Sequence, residues 1–245
     1  MFKPLSFLQP RGKLKFLFLE SHGLRSHLSA LRWASGRLRK SDAANLSKEQ
    51  RRLVTEIYSH TRMLTTAMQS MLLVGRLEEQ DYREKPEELD AALLLRSLLD
   101  SNDYQGMEWV FSCTEKLPVR CDATLLQAIL VDVLTLCMEA AQMQKKIFIN
   151  AHREQQEIHI RFYAVWELPI LGTGPQSNAA TSDRLLGGTP GLMLSLASAI
   201  AAALHGTVVL EEVATEEDDL IVDGTVERGA SAAAEYRIAV VLPAA

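Results

Sequence analysis

The 245-residue chain has few of the residues that mark special folds: three cysteines, 13 glycines and eight prolines, with only 6% aromatic residues. Cys113, Cys121 and Cys137 are odd in number and lack metal-ligand spacing, which excludes a disulfide framework and points to reduced thiols in a cytoplasmic protein. Glycine and proline are too sparse for a fibrous or low-complexity chain. No window reaches about 18 uninterrupted apolar residues, so no membrane span is expected. The run Phe16-Leu17-Phe18-Leu19 is far too short for one, and no small-residue cleavage pattern of a signal peptide is present. What the chain does have is apolar residues, 47%, against 23% charged and a net charge of -5. That balance excludes intrinsic disorder, and the length suffices for one large domain or two small ones.

Charge is divided unevenly. The first 62 residues carry 13 of the 26 Lys and Arg but four of the 31 Asp and Glu. A basic half can signal nucleic acid. Here the cations are spread along helix faces without interleaved aromatics, so no nucleic-acid partner is expected. A basic module beside an acidic protein partner accounts for the same asymmetry.

Residues 1–80 read as a helical hairpin. Leu17, Ser21, Leu24, Leu28, Leu31, Ser35 and Leu38 recur at alternating spacings of four and three, a heptad seam on a helix from about Leu14 to Arg39. Ser47 followed by Gln50 forms a capping box that restarts a helix. The second seam is Val54, Ile57, Thr61, Leu64, Met68 and Met71, widened by Leu53, Val74 and Leu77. Two helices cannot hide both stripes, so pairing with a second copy into a four-helix bundle, a homodimer, is expected.

A polar stretch from Glu78 to Glu88 leads to a second module over residues 88–245. It alternates a short helix to Leu99 capped by Asp90, strands at Glu108–Cys113 and Pro118–Cys121, and a long apolar helix capped by Asp122. Strands Lys146–Ala151 and Glu157–Tyr163 follow. An irregular Leu168–Gly188 segment precedes a helix from Leu192 to Leu204, stopped by His205-Gly206. Strands Val208–Val213 and Tyr236–Leu242 close the pattern, separated by an acidic loop, Glu216–Asp223, read as solvated. No internal repeat is evident. The fold class is α+β: an antiparallel helical hairpin followed by an α/β sandwich with helices on one face of a mixed sheet.

This order of elements, combined with Phe16, Ser21-His22, Leu24-Arg25-Ser26 and Leu28, resembles the transmitter core of bacterial sensor histidine kinases over roughly Phe16 to Leu242. The resemblance implies that His22 is the phosphoacceptor, with Arg25 and Ser26 beside it in the catalytic box. It implies a histidine-kinase-type ATP-binding domain, with ATP and Mg2+ as cofactors and a response regulator receiver domain as partner. His22 lies one position past a seam residue, where an imidazole with an ordinary pKa of about 6.5 is mostly neutral at pH 7 and able to attack. The same placement also suits a polar flank residue with no chemistry.

The departures from the family pattern are specific. The acid that follows the phosphoacceptor, the family's general base, is Gly23, and the kinking proline is His27. No asparagine lies along Leu130 to Cys137, which leaves Asp132 and Glu139 as the acids best placed for a cation. The first glycine box falls on Ala164-Val165-Trp166-Glu167-Leu168, with no adenine acceptor and two bulky side chains. Gly172-Thr173-Gly174 lacks the letters of a P-loop. The second glycine box, Gly187-Gly188-Thr189-Pro190-Gly191, survives best, with Gly188 and Gly191 able to bring backbone to phosphate at a helix start or simply to pack closely. His22 and His27, five apart, share no chelating face, and no metal site is expected. Phosphoryl transfer depends on positioning and charge neutralisation, so a pseudokinase that keeps the fold and loses most autokinase activity is expected. An active divergent kinase and a non-enzymatic sequestering module are the alternatives.

Overall fold

The computed structural model describes residues 11–40, 45–101, 104, 107–141, 146–164, 188–213, 221–222, 225–226 and 235–245. The chain divides into two compact units, Met1–Arg83 and Glu84–Ala245.

The first unit is a helical hairpin of α1 (Arg11–Lys40) and α2 (Lys48–Glu78). Helix α2 starts where the capping box places it: the Ser47 hydroxyl accepts from Gln50 N, and the Gln50 side chain accepts from Ser47 N, which satisfies two otherwise orphaned amides. The helices meet at Gly36 and Tyr58, where a Cβ on the glycine would lie 3.3 Å from the ring. The Arg39 guanidinium lies 4.1 Å over the same ring.

The face that α2 buries differs from its expected seam. Tyr58, Thr61, Thr65, Thr66 and Ser70 are buried, whereas Ile57 and Leu64 remain about half exposed. Of the expected seam only Thr61 is fully buried, together with Val74 on its widened edge. The buried hydroxyls are satisfied locally: Thr61 donates to Ile57 O at 2.6 Å and Thr65 to Thr61 O at 2.7 Å. Helix α1 does likewise, since Ser35 is buried and donates to Leu31 O at 2.7 Å. Leu24, Leu31 and Leu38, each seven residues on from the last, stay exposed. Leu17 and Ser21 have side chains outside the described residues.

The second unit begins with a strand that the sequence did not suggest. β1 (Pro86–Asp90) pairs antiparallel with β3 (Pro118–Asp122). Each strand of this ribbon ends in an aspartate that caps a helix. Asp90 accepts from Ala92 N and Leu93 N at the start of α3 (Ala91–Leu99), and its Oδ1 also takes Leu117 N. Asp122 Oδ1 accepts from Thr124 N and Leu125 N at the start of α4 (Ala123–Ala140), while Oδ2 takes Lys85 N at 2.8 Å. Both caps are therefore tertiary fasteners as well as local ones.

The main sheet contains β2 (Glu108–Ser112), β4 (Lys146–Glu154), β5 (Glu157–Ala164), β6 (Thr207–Val213) and β9 (Glu235–Pro243), in the order β2-β4-β5-β9-β6. β2 runs parallel to β4 and the other pairs are antiparallel, so the sheet is mixed. Strict alternation sets its faces: Ile147, Ile149 and Ala151 are buried, as are Ile158, Ile160 and Phe162. α4 and α5 (Gly188–Ala203) supply the rest of this core through Leu126, Ile129, Leu130, Met193, Ala197 and Ile200. α4 is long and apolar enough to cross a membrane by length and composition, but it is mostly buried within this unit. The segment expected as a solvated acidic loop runs into a short hairpin, β7 (Ile221–Val222) with β8 (Thr225–Val226).

Helix α5 ends at a tight turn. Gly206 N donates to Ala201 O at 2.8 Å and His205 N to Ala202 O at 3.1 Å. His205 takes φ of 57°. This pattern is a Schellman turn with histidine where glycine is usual. Gly206 is there for closeness: an added Cβ would lie 2.5 Å from Val241 O.

Candidate functional site

His22 lies in the first half of α1, within an unbroken helix from Arg11 to Lys40. Glycine at position 23 does not interrupt it, and His27 stands in the helix where proline would remove a backbone donor. The side chains of His22 and Arg25 lie outside the described residues, whereas Ser26 and His27 are exposed. Trp33 is 65% exposed with the Arg37 guanidinium 5.1 Å above its ring, so within the single chain it is a surface residue rather than a packed one.

The second set of candidates is on α4 and α5. Asp132 is wholly buried among Leu130, Val133 and Leu134 of its own helix. Glu139, two turns later, is half-buried. One turn on from Asp132, the Thr135 hydroxyl is buried without a hydrogen-bond partner among the described residues. Among the described residues, no group of three His, Cys, Asp or Glu could hold a metal ion. Asp132 is sealed from solvent, whereas a magnesium ligand shares its ion with waters and phosphate oxygens. α5 begins at Gly188, four residues before the expected start, so Gly191 falls within the first turn rather than before it. The Gly191 carbonyl accepts from Ser195 Oγ at 2.9 Å. Trp166, Leu168, Gly172, Gly174 and Gly187 lie outside the described residues, as does the Ala164 side chain.

The cysteines are free thiols. Burial pushes the Cys121 thiol up to about 11, with the carboxylates of Asp122 and Glu87 adding to the shift. Burial pushes the Cys137 thiol up further. Neither can act as a ready nucleophile at neutral pH.

Comparison with solved structures places this architecture. Full-length ShkA in complex with AMPPNP superposes with a TM-score of 0.51 at 18% identity, over 94% of this chain and 46% of that one. The Acinetobacter baumannii histidine kinase AdeS gives a TM-score of 0.50 at 17% identity, over 91% and 97%. The fold is that of a histidine kinase transmitter core. This chain spans under half the length of ShkA and nearly all of the AdeS chain. No family model matches the chain, and no curated protein sequence does. The sequence signal that could have flagged Asp132 as a core residue was its setting: every other position from Ile129 to Leu134 is apolar.

Proposed function

We propose that this chain is a histidine-kinase-like signalling protein of the cytoplasm, dimeric through its hairpin, in which His22 exchanges phosphoryl groups with a response regulator receiver domain while the nucleotide-type domain is degenerate. The observation that carries this reading is a transmitter fold in which Asp132 is buried. Support for the dimer comes from the leucines at 24, 31 and 38 and from Leu53, Ile57 and Leu64, all large, apolar and exposed on one hairpin. A second copy covers such stripes and completes a four-helix bundle. Support for an acidic receiver comes from the excess of cations in the first 62 residues, since complementary charge steers encounter.

In this reading a neutral His22 imidazole nitrogen attacks the phosphorus of the receiver's aspartyl phosphate. An N–P bond forms, the P–O bond breaks, and the receiver carboxylate leaves. The hairpin contributes position, since Gly23 supplies no base. Incubating the full chain with a phosphorylated receiver tests the claim: label appears on the wild type and is absent from His22→Ala. Equal absence of label from both removes the phosphotransfer claim.

One observation favours a second reading, an active divergent kinase: ShkA was solved with AMPPNP. Radiolabelled ATP with magnesium separates the two. Label on His22, or a thermal shift with ATP, supports the divergent kinase; neither is expected if the domain is degenerate.

A further inference from the structure

The face of the main sheet turned away from α4 and α5 carries a cluster that the signalling reading does not use. His152 on β4 and His159 on β5 are register partners, as are Glu154 and Glu157 beside them. The two imidazoles stack, with centroids 5.6 Å apart and planes 14° from parallel. Asn150 Oδ1 lies 2.9 Å from His152 Nδ1. In the neutral tautomer whose Nδ1–H donates to this oxygen, Nε2 is left with its lone pair. That Nε2 lies 3.9 Å from Glu154 Oε2. His159 Nε2 faces both carboxylates, 3.8 Å from Glu154 Oε2 and 3.4 Å from Glu157 Oε2. One carboxylate therefore lies between two rings.

We propose that the stacked His152–His159 pair is a proton-operated clasp on the β4–β5 hairpin, closed while His152 is neutral and opened when it takes up a proton. A proton on Nε2 makes His152 a second claimant on Glu154. It also sets a cation against Arg161 and against the neighbouring ring.

The groups facing His152 come from three places. β4 offers Glu154; β5 offers His159 and Arg161; the β2–β3 connection offers Glu115, whose Oε1 also holds Arg153 N at 3.1 Å. β9 places Val241 opposite His159 and adds no charge there. Burial first, then Arg161 and His159, hold His152 below the usual imidazole range, against the pull of Glu154 and Glu115. A histidine depressed in the folded state binds fewer protons there than in the open one. The clasp's contribution is thus present above the ordinary imidazole range and is lost as the pH falls through it and below. The segment that opens is the hairpin end, Arg153 to Ile158, around a turn in which Gln155 holds φ of 56°.

Amide hydrogen exchange on the full chain tests this, compared at about pH 7.5 and about pH 5.5 as protection factors so that intrinsic exchange cancels. The protection of residues 153–158 is expected to fall by about three- to tenfold at the lower pH, with the core amides of α4 unchanged. His152→Gln keeps an uncharged side chain at the site and is expected to abolish the pH response. Glu154→Gln removes a carboxylate that favours the protonated ring, so it shifts the transition to lower pH. Equal protection at both pH values, an equal fall in His152→Gln, or an unmoved transition in Glu154→Gln overturns the proposal.

Discussion

Adjacent positions at the end of α5 should respond to substitution with opposite signs. His205 holds φ of 57°, a conformation that costs an L-residue about 1–2 kcal/mol. Glycine has no such cost there, but it is freer in the unfolded chain by about 0.5–1 kcal/mol. His205→Gly should therefore stabilise by about 0.5–1 kcal/mol, a rise in Tm of roughly 1–4 °C for a unit of this size. At Gly206 the backbone conformation is not the issue. An alanine Cβ would lie 2.5 Å from Val241 O and 2.9 Å from Leu242 Cδ2. The leucine tip can turn aside, but the carbonyl belongs to the β6–β9 ladder and cannot move without disturbing it. Gly206→Ala should cost about 1–3 kcal/mol, the range for overpacking. Thermal unfolding followed by near-ultraviolet dichroism reads both variants in one experiment. A neutral Gly206→Ala would mean that the turn does not approach β9 closely. A destabilising His205→Gly would mean that the imidazole makes a contact outweighing the backbone cost.

Three further outcomes follow from separate parts of the fold. Leu24, Leu31 and Leu38 are 56%, 52% and 40% exposed; covering them in a dimer is worth about 1 kcal/mol each. Changing all three to Gln, which keeps helix propensity, removes six leucines from a dimer and should weaken self-association by on the order of ten-thousandfold, and unchanged sedimentation would count against the hairpin as the dimer contact. Asp122→Ala leaves three amides without their carboxylate, those of Thr124, Leu125 and Lys85, at an expected cost of about 2–3 kcal/mol in denaturant titration. Asp122→Asn, which can still cap, should lose less than half as much. In thiol titration near pH 8, Cys113 should react first, because Cys121 is raised to about 11 and Cys137 higher still by burial, and the thiolate is the reacting form. Two fast thiols in the folded chain would contradict that.

The parts of the fold legible in the sequence were those settled within a few residues. Ser47 with Gln50, Asp90 and Asp122 each cap a helix that starts immediately after them, because a cap needs only an acceptor and the next two or three amides. β4 and β5 were legible because their alternation is strict and one face is fully buried. β1 was not. Pro86-Glu87-Glu88-Leu89-Asp90 has no alternation and little β propensity; it is a strand only because β3 lies alongside and Asp90 ties it to Leu117. The short β7–β8 hairpin was hidden in the same way, by acidic neighbours that read as a loop. At the candidate site, the letters around His22 were legible as a resemblance, whereas the sealing of Asp132 depends on what α4 packs against, which its own sequence states only through unbroken apolar flanks.

The hairpin shows why a seam can be visible while its partner is not. A periodic stripe reports that a helix has an apolar face, but nothing in the period says which element covers it. In α2 the buried side chains are Tyr58, Met63, Ala67 and Val74 with a run of hydroxyls, of which Thr61 and Thr65 are bonded back to their own helix. The small hydroxyl residues let the two helices come close, as Gly36 does against Tyr58. The leucines that would contribute most lie outside this contact and about half exposed. At about 25 cal/mol per Å2 of apolar surface, covering those leucines would add to the hairpin's hydrophobic stabilisation. The exposed leucines are the surface on which the proposed second copy would sit, and sedimentation of the triple Gln variant reads directly whether it does.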